Sequence, residues 1–549
     1  MKVKGKDILS IFKNKYIIAL SIVFGAIMSF TFVFGKEVYN TNSVRGLFWD
    51  NASIFRTISM MIGATVFFSL ILICVIFVFS KLPAIKPYNK PIKWYAYLIV
   101  FVVSWGAIFL SFLMAFRAYY PGITSYDFGT QAYYYFKLIP FTKHHPPLHS
   151  YFVFWAIEYA TNNNLSACTP YAIVQIIIFS FILALGLTYL LRLKIHWALI
   201  IVYGLYFVLN PVIAIFSIIT TKDIIFGGFF FLTTVFTVGL CLDTEKNLKR
   251  PLFWVFFDIV ILLTLLFRNN ALYAFILADI VSIIVLRKYW KRVFVLLVIP
   301  IILFFMIDKL VFSGIIGLAD GATDEKLCVP MQQISYVVCV HENELTDDEI
   351  DFVNKYMDVS QIWEAYNPRF ADPIKFLFDS EEYDKSSGEF WKGWLKLGVK
   401  YPKEYISSFL TLNIPYWYWG ADSIDIFSQR EYIEVDNRET RGATSLNLRA
   451  LSFYESFSSY SKMHKYPILT VVFSIVTPIW VMLFCLLILL SRKQFKMLPV
   501  LSPAIFLWLT LIAGPVSNFR YIFPHVLLYP LLVLLVLIDT DRKQGVNKL

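Results

Sequence analysis

Charged residues are scarce in this sequence of 549 residues, and their scarcity excludes an ordinary soluble protein. Only 16% of the residues are Asp, Glu, Lys or Arg, whereas 58% are hydrophobic and 18% are aromatic. A soluble globular chain is nearer to half apolar and a quarter charged. The composition therefore predicts an integral membrane protein.

Cysteine is also rare, and no internal repeat is visible. The six cysteines are scattered without a CxxC pair, so there is no sequence motif for a zinc or redox site. Cys328 and Cys339 lie in the same hydrophilic region, which leaves a disulfide open. If residues 331–339 form one continuous helix, however, the two sulfur atoms cannot reach each other.

The net charge of +11 does not predict a nucleic-acid partner. The positive residues stand in short segments between apolar runs, as membrane topology demands. With the N-terminus inside, 24 lysines and arginines fall in the inner segments and nine in the short outer ones. This bias predicts a multi-pass protein of the cell membrane with both termini cytoplasmic.

Twelve apolar runs predict an all-α polytopic fold with about 12 transmembrane helices. The run at 150–160 is too short to cross, and it is interpreted as an amphipathic helix at the outer surface. The first run follows a basic start without a cleavage site, so it is kept as a retained span. The twelve runs lie near residues 16–35, 58–80, 94–116, 171–191, 196–217, 224–242, 252–267, 271–287, 293–313, 467–490, 497–514 and 521–539.

The apolar runs divide the chain into four predicted parts. They are an N-terminal two-helix addition (1–93), a transmembrane core (94–313) with a first external loop (117–170), a mainly helical external domain (314–466), and C-terminal transmembrane helices with a short cytoplasmic tail (467–549). Within the external domain, Thr346 and Glu349 have the spacing of a capping box, which predicts a helix start.

A polar island at Tyr120–Ser150 follows the third run and is predicted to hold the chemistry. Its one carboxylate, Asp127, has two interpretations. Beside apolar rings it would be partly desolvated, which raises the pKa toward values that suit a general base. Alternatively, Asp127 caps a helix that begins at Phe128.

The same island carries the histidine-rich stretch Lys143–His149. Imidazolium groups and lysine suit a phosphate, whereas neutral histidine suits a metal. No cofactor is predicted, although a divalent ion held by Asp127 with His145 stays open. The plainer alternative is that the histidines contact lipid headgroups only.

Three cations, Lys222, Arg268 and Arg520, stand at predicted outer boundaries, against the positive-inside bias. The local alternatives are that Lys222 is a snorkelling anchor and that Asp223 caps a helix. Three cations and one carboxylate around a single headgroup would suit a lipid-linked phosphosugar.

The motifs YPG…D…Q…HHPP, TKD, RNN-LY, VPMQQISY and N-x-RY-x-x-P give the chain a family resemblance over about residues 94–540. It resembles the C-type glycosyltransferase superfamily (GT-C), and more narrowly an uncharacterised branch of bacterial membrane proteins grouped with it. The resemblance implies that Asp127 is the catalytic carboxylate of the first external loop. It also implies that Lys222, Arg268 and Arg520 surround the donor phosphate. Many GT-C first loops have an acidic pair where this chain has a lone Asp127, which leaves the metal requirement open.

The expected activity is sugar transfer from a polyprenyl-phosphate-type lipid to a cell-envelope glycan or lipid acceptor on the outer face, with inversion. Asp127 is the predicted general base, and membrane lipids are further partners. The predicted donor-phosphate contacts are Lys222, Arg268, Arg520, His144 and His145, and the predicted substrate contacts are Gln131, Tyr126, Asn269 and Gln332.

Two other functions stay open as alternatives. One is a secondary transporter or a lipid or glycan flippase, which would place ionisable groups near the membrane midplane. In this chain Asp258, Asp279 and Asp308 are the main charges within spans, and each stands alone. The other is an enzyme like an O-antigen ligase or polymerase, which uses the same class of donor.

Overall fold

The computed structural model describes residues 12, 14–82, 85, 88, 91–321, 323–421, 445–457 and 471–538. Over these residues the protein is 79% helical and forms no β-strand, which confirms the predicted all-α class. The helices, numbered in chain order, are α1 (Lys15–Thr41), α2 (Asn51–Lys81), α3 (Trp94–Ala118), α4 (Tyr126–Tyr135), α5 (Pro147–Asn163), α6 (Cys168–Arg192), α7 (Trp197–Leu209), α8 (Pro211–Phe216), α9 (Lys222–Leu242), α10 (Thr244–Leu248), α11 (Pro251–Phe267), α12 (Ala271–Val285), α13 (Trp290–Met306), α14 (Cys328–His341), α15 (Asp347–Asn354), α16 (Val359–Ala365), α17 (Asp372–Lys375), α18 (Ser380–Lys400), α19 (Pro402–Leu412), α20 (Ile414–Trp417), α21 (Leu448–Glu455), α22 (Thr477–Ser491), α23 (Leu498–Leu511), α24 (Phe519–Leu527) and α25 (Tyr529–Leu537).

Seven stretches of helix in the described chain have the length and composition to cross a membrane. They are Lys15–Thr41, Asn51–Lys81, Trp94–Ala118, Cys168–Arg192, Lys222–Leu242, Arg287–Ile315 and Phe519–Leu537. The other five predicted spans coincide with shorter apolar helices at Trp197–Leu209, Pro251–Phe267, Ala271–Val285, Thr477–Ser491 and Phe495–Leu511. The start of the predicted span 467–490 and both chain ends, residues 1–11 and 539–549, lie outside the described residues.

The chain divides into two compact units. The first comprises Met1–Lys81, Ala322–Ile424 and Leu509–Asn518, and the second comprises Leu82–Gly321, Asp425–Trp508 and Phe519–Leu549. The predicted domain boundaries stay a prediction, and residues 422–444 and 458–466 of the predicted external domain lie outside the described residues.

In the first unit, α1 and α2 pack through small side chains. The Ser69 hydroxyl donates to the Ser21 carbonyl oxygen at 3.1 Å, and a Cβ placed on Gly25 would lie 2.4 Å from the Ser69 hydroxyl oxygen. Small residues of this kind let two helices in a membrane approach closely. The far end of α1 packs on the later helices of the unit, where Val33 and Val38 contact Leu410 and Ile414 in one core.

The hydrophilic helices of the first unit pack around α14. Met331, Ile334 and Val337 are buried against Ile362 and Phe390. The predicted capping box is confirmed, since the Thr346 N–H donates to the Glu349 carboxylate at 3.0 Å and α15 begins at the next residue.

The open question of the disulfide is settled by α14 itself. This helix contains both Cys328 and Cys339, and both are free thiols. Eleven residues of α-helix separate them by about 16 Å, which no disulfide spans.

The predicted span 196–217 is wrong as one helix, because the chain breaks at Asn210. The Asn210 side chain accepts from the N–H groups of Val212 and Ile213 at 3.0 and 3.2 Å and so caps α8. Pro211 then occupies the first helical position, where its missing N–H costs nothing. The Asn-Pro dipeptide was the available sequence signal.

Two extended segments of the second unit position the start of α4 beside the start of α9. Ile123 and Ile219 form a parallel bridge, and the Ser125 hydroxyl donates to the Thr220 carbonyl oxygen at 2.5 Å. Gln175 of α6 holds one of these segments, since its amide nitrogen donates to the carbonyl oxygens of Ser217 and Ile219 at 2.9 and 2.8 Å.

Replacing Gln175 with Leu would leave these two buried carbonyl groups without that donor. The Ile219 carbonyl still accepts from the Thr221 N–H at 2.8 Å, so the Ser217 carbonyl bears most of the cost. We expect a loss of about 1–3 kcal/mol of unfolding free energy, measured as a lower thermal midpoint in detergent. Thr188→Val is the matched control, because the Thr188 hydroxyl donates to Ala184 of its own helix. Equal destabilisation by the two variants would contradict the positioning role of Gln175.

Candidate functional site

Asp127 lies in the first turn of α4 and is paired with two cations. The Lys222 ammonium donates to Asp127 Oδ2 at 2.7 Å, and the Arg520 guanidinium donates to Oδ1 at 3.3 Å. Only 8% of Asp127 is exposed. The cap interpretation of Asp127 is wrong, because the helix begins at Tyr126 and the carboxylate is bonded to side chains from other segments.

The predicted direction of the Asp127 pKa is also wrong. Burial raises the pKa of this carboxyl, as expected, but the positive charges of Arg520 and Lys222 outweigh burial. The pKa of Asp127 therefore lies well below its ordinary value. In the free protein the carboxylate is ionised at neutral pH and neutralised by its partners.

A second carboxylate, Asp223, belongs to the same cluster and was not among the predicted site residues. It stands next to Lys222 at the start of α9 and is fully buried, with an ion pair to the Arg268 guanidinium. The cap of α9 is Thr221, whose hydroxyl accepts from the Asp223 N–H. The sequence interpretation of Asp223 as a cap concealed its ion pair, although the TKD motif singled out the position.

Arg520 stands between the two carboxylates. Its guanidinium lies 3.3 Å from Asp127 Oδ1 and 3.9 Å from Asp223 Oδ2. It also donates to the Tyr521 hydroxyl at 3.0 Å, and Arg268 lies over the same Tyr521 ring, 5.1 Å from the centroid. The structure thus brings the three predicted cations, Lys222, Arg268 and Arg520, together with two carboxylates, and these five side chains carry one net positive charge.

His145 borders this cluster as a neutral ring. Burial, reinforced by the Lys222 charge, lowers the pKa of His145 to about 2. Of the two forms considered for the histidines, His145 is therefore the neutral one, and its predicted contact with the donor phosphate stays a prediction. Its Nδ1 accepts from the Lys222 ammonium at 3.3 Å, which puts the ring proton on Nε2, and that buried nitrogen has no hydrogen-bond partner among the described residues.

The other two histidines of the stretch, His144 and His149, contact neighbouring side chains. His144 contacts the His145 ring, with the two centroids 4.6 Å apart. His149 is fully buried, where its Nδ1 accepts from the Gln131 amide at 2.9 Å and its Nε2 lies 2.7 Å from the Tyr171 hydroxyl. Burial lowers the pKa of His149 to about 3, so it too is neutral. Lys143, beside them, is paired with Asp308 at 3.0 Å and Asp320 at 2.6 Å.

The four predicted substrate contacts differ in their exposure, in their hydrogen bonds and in the unit to which they belong. Gln131 is buried, and its Oε1 has no partner among the described residues. Tyr126 is 65% exposed beside Asp127, and the Asn269 amide donates to the Lys143 carbonyl oxygen at 3.4 Å. Gln332 belongs to the first unit, where its amide donates to the Asn367 carbonyl oxygen at 3.0 Å.

The predicted metal pair of Asp127 with His145 is bridged by an ammonium group. Lys222 Nζ is within hydrogen-bond distance of both side chains, 2.7 Å from Asp127 and 3.3 Å from His145. A divalent ion held by these two residues would have to displace that ammonium. No group of three or more His, Cys, Asp or Glu side chains with metal-binding geometry occurs in the part of the chain that the structure describes.

These features define a helical protein of membrane type with a buried cluster of paired charges in its second unit. The chain belongs to the family of unknown function DUF6020, whose model matches residues 140–548. The matched part contains Lys222, Asp223, Arg268 and Arg520 and begins after Asp127. No curated protein and no solved structure matches the chain.

Replacing Arg268 with Ala would leave the buried Asp223 carboxylate with the Thr221 hydroxyl at 3.1 Å and the more distant Arg520 cation at 3.9 Å. We expect a loss of about 3–5 kcal/mol of unfolding free energy, because a buried charge stripped of its partner is costly. Lys249→Ala is the control, since it breaks the exposed pair with Glu245 and should cost less than about 1 kcal/mol. Thermal or chemical unfolding in detergent measures both, and similar losses would contradict the importance of the buried pair.

Proposed function

We propose that this protein is a GT-C-type membrane glycosyltransferase. It moves a sugar from a polyprenyl-phosphate-type lipid to a cell-envelope glycan or lipid acceptor on the outer face. The proposal includes twelve spans, both termini in the cytoplasm and the Asp127 cluster on the external side. The observation that carries it is the convergence of three cations with two carboxylates beside the neutral His145. The buried Nε2–H of His145 has no partner among the described residues.

The cations of the cluster have the charge and donors that a lipid-linked phosphate requires. Lys222 and Arg520 are partly exposed, with side-chain exposures of 17% and 19%, so they can turn toward a bound anion. Arg268 is held by Asp223 and by aromatic rings, which makes it the fixed member of the set. His145 would donate its Nε2–H to a phosphate oxygen, since a buried donor without a partner costs free energy until a ligand satisfies it.

The proposed reaction is a single displacement. The acceptor hydroxyl oxygen bonds to the anomeric carbon, and its proton passes to an oxygen of Asp127. The bond between the anomeric carbon and the phosphate oxygen breaks, and the electron pair leaves with the polyprenyl phosphate. Lys222, Arg268 and Arg520 stabilise the charge that develops on that oxygen. Attack opposite the leaving group inverts the anomeric carbon.

The ion pairs of the free site set a condition on this reaction. A carboxylate held by Lys222 and Arg520 is a weak base, because the same charges that neutralise it also lower its pKa. The donor phosphate competes for those two cations. Its binding would draw them away from Asp127 and raise the basicity of the carboxylate, so the donor must bind before Asp127 can accept a proton.

Asp127→Asn should abolish sugar transfer without weakening donor binding. The amide has the shape of the carboxylate but cannot take the proton, and Lys222 and Arg520 stay available to the phosphate. The assay is transfer from radiolabelled polyprenyl-phosphosugar by purified protein, with donor binding measured separately. Asp320→Asn, an exposed carboxylate of the same unit, is the control. Wild-type turnover by Asp127→Asn would contradict the assignment, and liposomal uptake without transfer would favour transport.

The acidic limb of the pH–rate profile should differ between the two kinetic constants. The acidic limb of kcat/KM for the donor reports Asp127 in the free enzyme, where the two cations hold its pKa low. The limb of kcat reports the donor complex, where the phosphate has taken those cations. We therefore expect the kcat limb at the higher pH. Limbs at the same pH would show that the donor leaves the Asp127 pairs in place.

A further inference from the structure

A pocket of about 400 Å³ lies in the first unit, and none of its lining residues takes part in the proposed reaction. One wall is the end of α14 at Cys339–His341, and the rim is the turn Glu342–Glu344 that follows it. Trp363 of α16 also lines the pocket. The volume is within the range of small-molecule sites.

Trp363 is held outward by the fold of α16. Asp358 caps this helix by accepting from the Ser360 N–H at 2.9 Å, and Ile362, the residue before Trp363, is fully buried. Because neighbouring residues on a short helix point in different directions, burial of Ile362 fixes Trp363 on the outer side. With 67% of its surface exposed, Trp363 presents a large flat apolar face next to polar groups.

The His341 wall of the pocket is organised in advance. Arg45, held by Glu404 at 2.7 Å, donates to His341 Nε2 at 2.6 Å. That bond leaves the ring proton on Nδ1, which donates to Glu344 at 2.7 Å. The ring and the Glu344 carboxylate are thereby fixed before any ligand arrives, which lowers the entropic cost of binding.

An exposed indole in the same pocket as carboxylate and amide groups matches the chemistry of a sugar ring. The C–H face of a pyranose packs on an indole, and its hydroxyl groups donate to carboxylate oxygens. Glu342, Asn343 and Glu344 supply these acceptors along the rim. The two carboxylates repel anions such as phosphates and uronic acids, which favours an uncharged saccharide as the ligand. They also repel anionic lipid headgroups, which disfavours insertion of Trp363 into a membrane surface.

We propose that the pocket between Trp363 and Glu342–Glu344 binds a saccharide that carries no anionic group. This inference goes beyond the proposed transfer reaction, because it concerns binding by the first unit and needs no catalysis. It gives a role to an exposed tryptophan that the core of the unit does not require.

Saturation-transfer NMR tests the proposal on the full chain in lipid nanodiscs. The probes are the methyl glycosides of glucose, galactose and N-acetylglucosamine, each in the neutral form, with glucuronic acid and glucose 6-phosphate as anionic counterparts. We expect saturation of the ring C–H protons of at least one neutral sugar and a weaker effect for the anionic sugars. Trp363→Ala should weaken binding by about tenfold or more, whereas Trp363→Tyr should retain part of it.

Trp49→Ala is the matched control, since Trp49 is 78% exposed in the same unit and does not line the pocket. It should leave sugar binding unchanged. The readout is binding of free sugars and not sugar transfer, so the outcome is separate from that of the transfer assay. Absence of saturation transfer from every neutral sugar would overturn the proposal. So would equal losses in Trp49→Ala and Trp363→Ala, or stronger binding of the anionic sugars. Fluorescence quenching by brominated lipids that is smaller in Trp363→Ala than in Trp49→Ala would identify Trp363 as a membrane anchor instead.

Discussion

The mutual neutralisation of buried charges in the second unit is the constraint on which its site depends. Asp127 comes from α4, Lys222 and Asp223 from the start of α9, Arg268 from the end of α11, and Arg520 from α24. Each carboxylate is nearly or wholly removed from solvent, so its charge is tolerable only while its partners stay in place. Four separate segments are therefore tied to one another, and the binding of any further anion must redistribute these pairs.

The sequence predicted which residues form the charge cluster better than it predicted which of them pair with each other. Lys222, Arg268 and Arg520 stood out because cations at predicted outer boundaries oppose the positive-inside bias. Asp127 stood out as the one carboxylate of the polar island. Their partners were not predictable, since Lys222 lies 95 residues from Asp127 along the chain and Arg520 lies 393 residues away. The error in the direction of the Asp127 pKa has the same origin, because burial can be inferred from neighbours in sequence whereas the opposing charges cannot.

The helices were predicted well where apolar runs are long, and less well where a local signal competes with the run. Asn210 and Pro211 divide one apolar run into two helices by satisfying N–H groups that a continuous helix would have paired. Asp223 was assigned a local role as a cap, but Thr221 fills that role and frees the carboxylate for Arg268. Association of α1 and α2 with α14–α20 in one unit depends on side-chain packing, which no periodicity in the sequence reports.

The break at Asn210 also bears on the lipid around the protein. Thirteen residues of α7 extend about 20 Å, whereas the hydrocarbon layer of a typical bilayer is about 30 Å thick. If α7 crosses the membrane as proposed, the bilayer beside it must thin or the residues at its ends must reach toward the headgroups. Mismatch of this kind makes the local conformation depend on acyl-chain length. Bilayer thickness would then act on the chain as a physical variable in its own right, independent of headgroup chemistry.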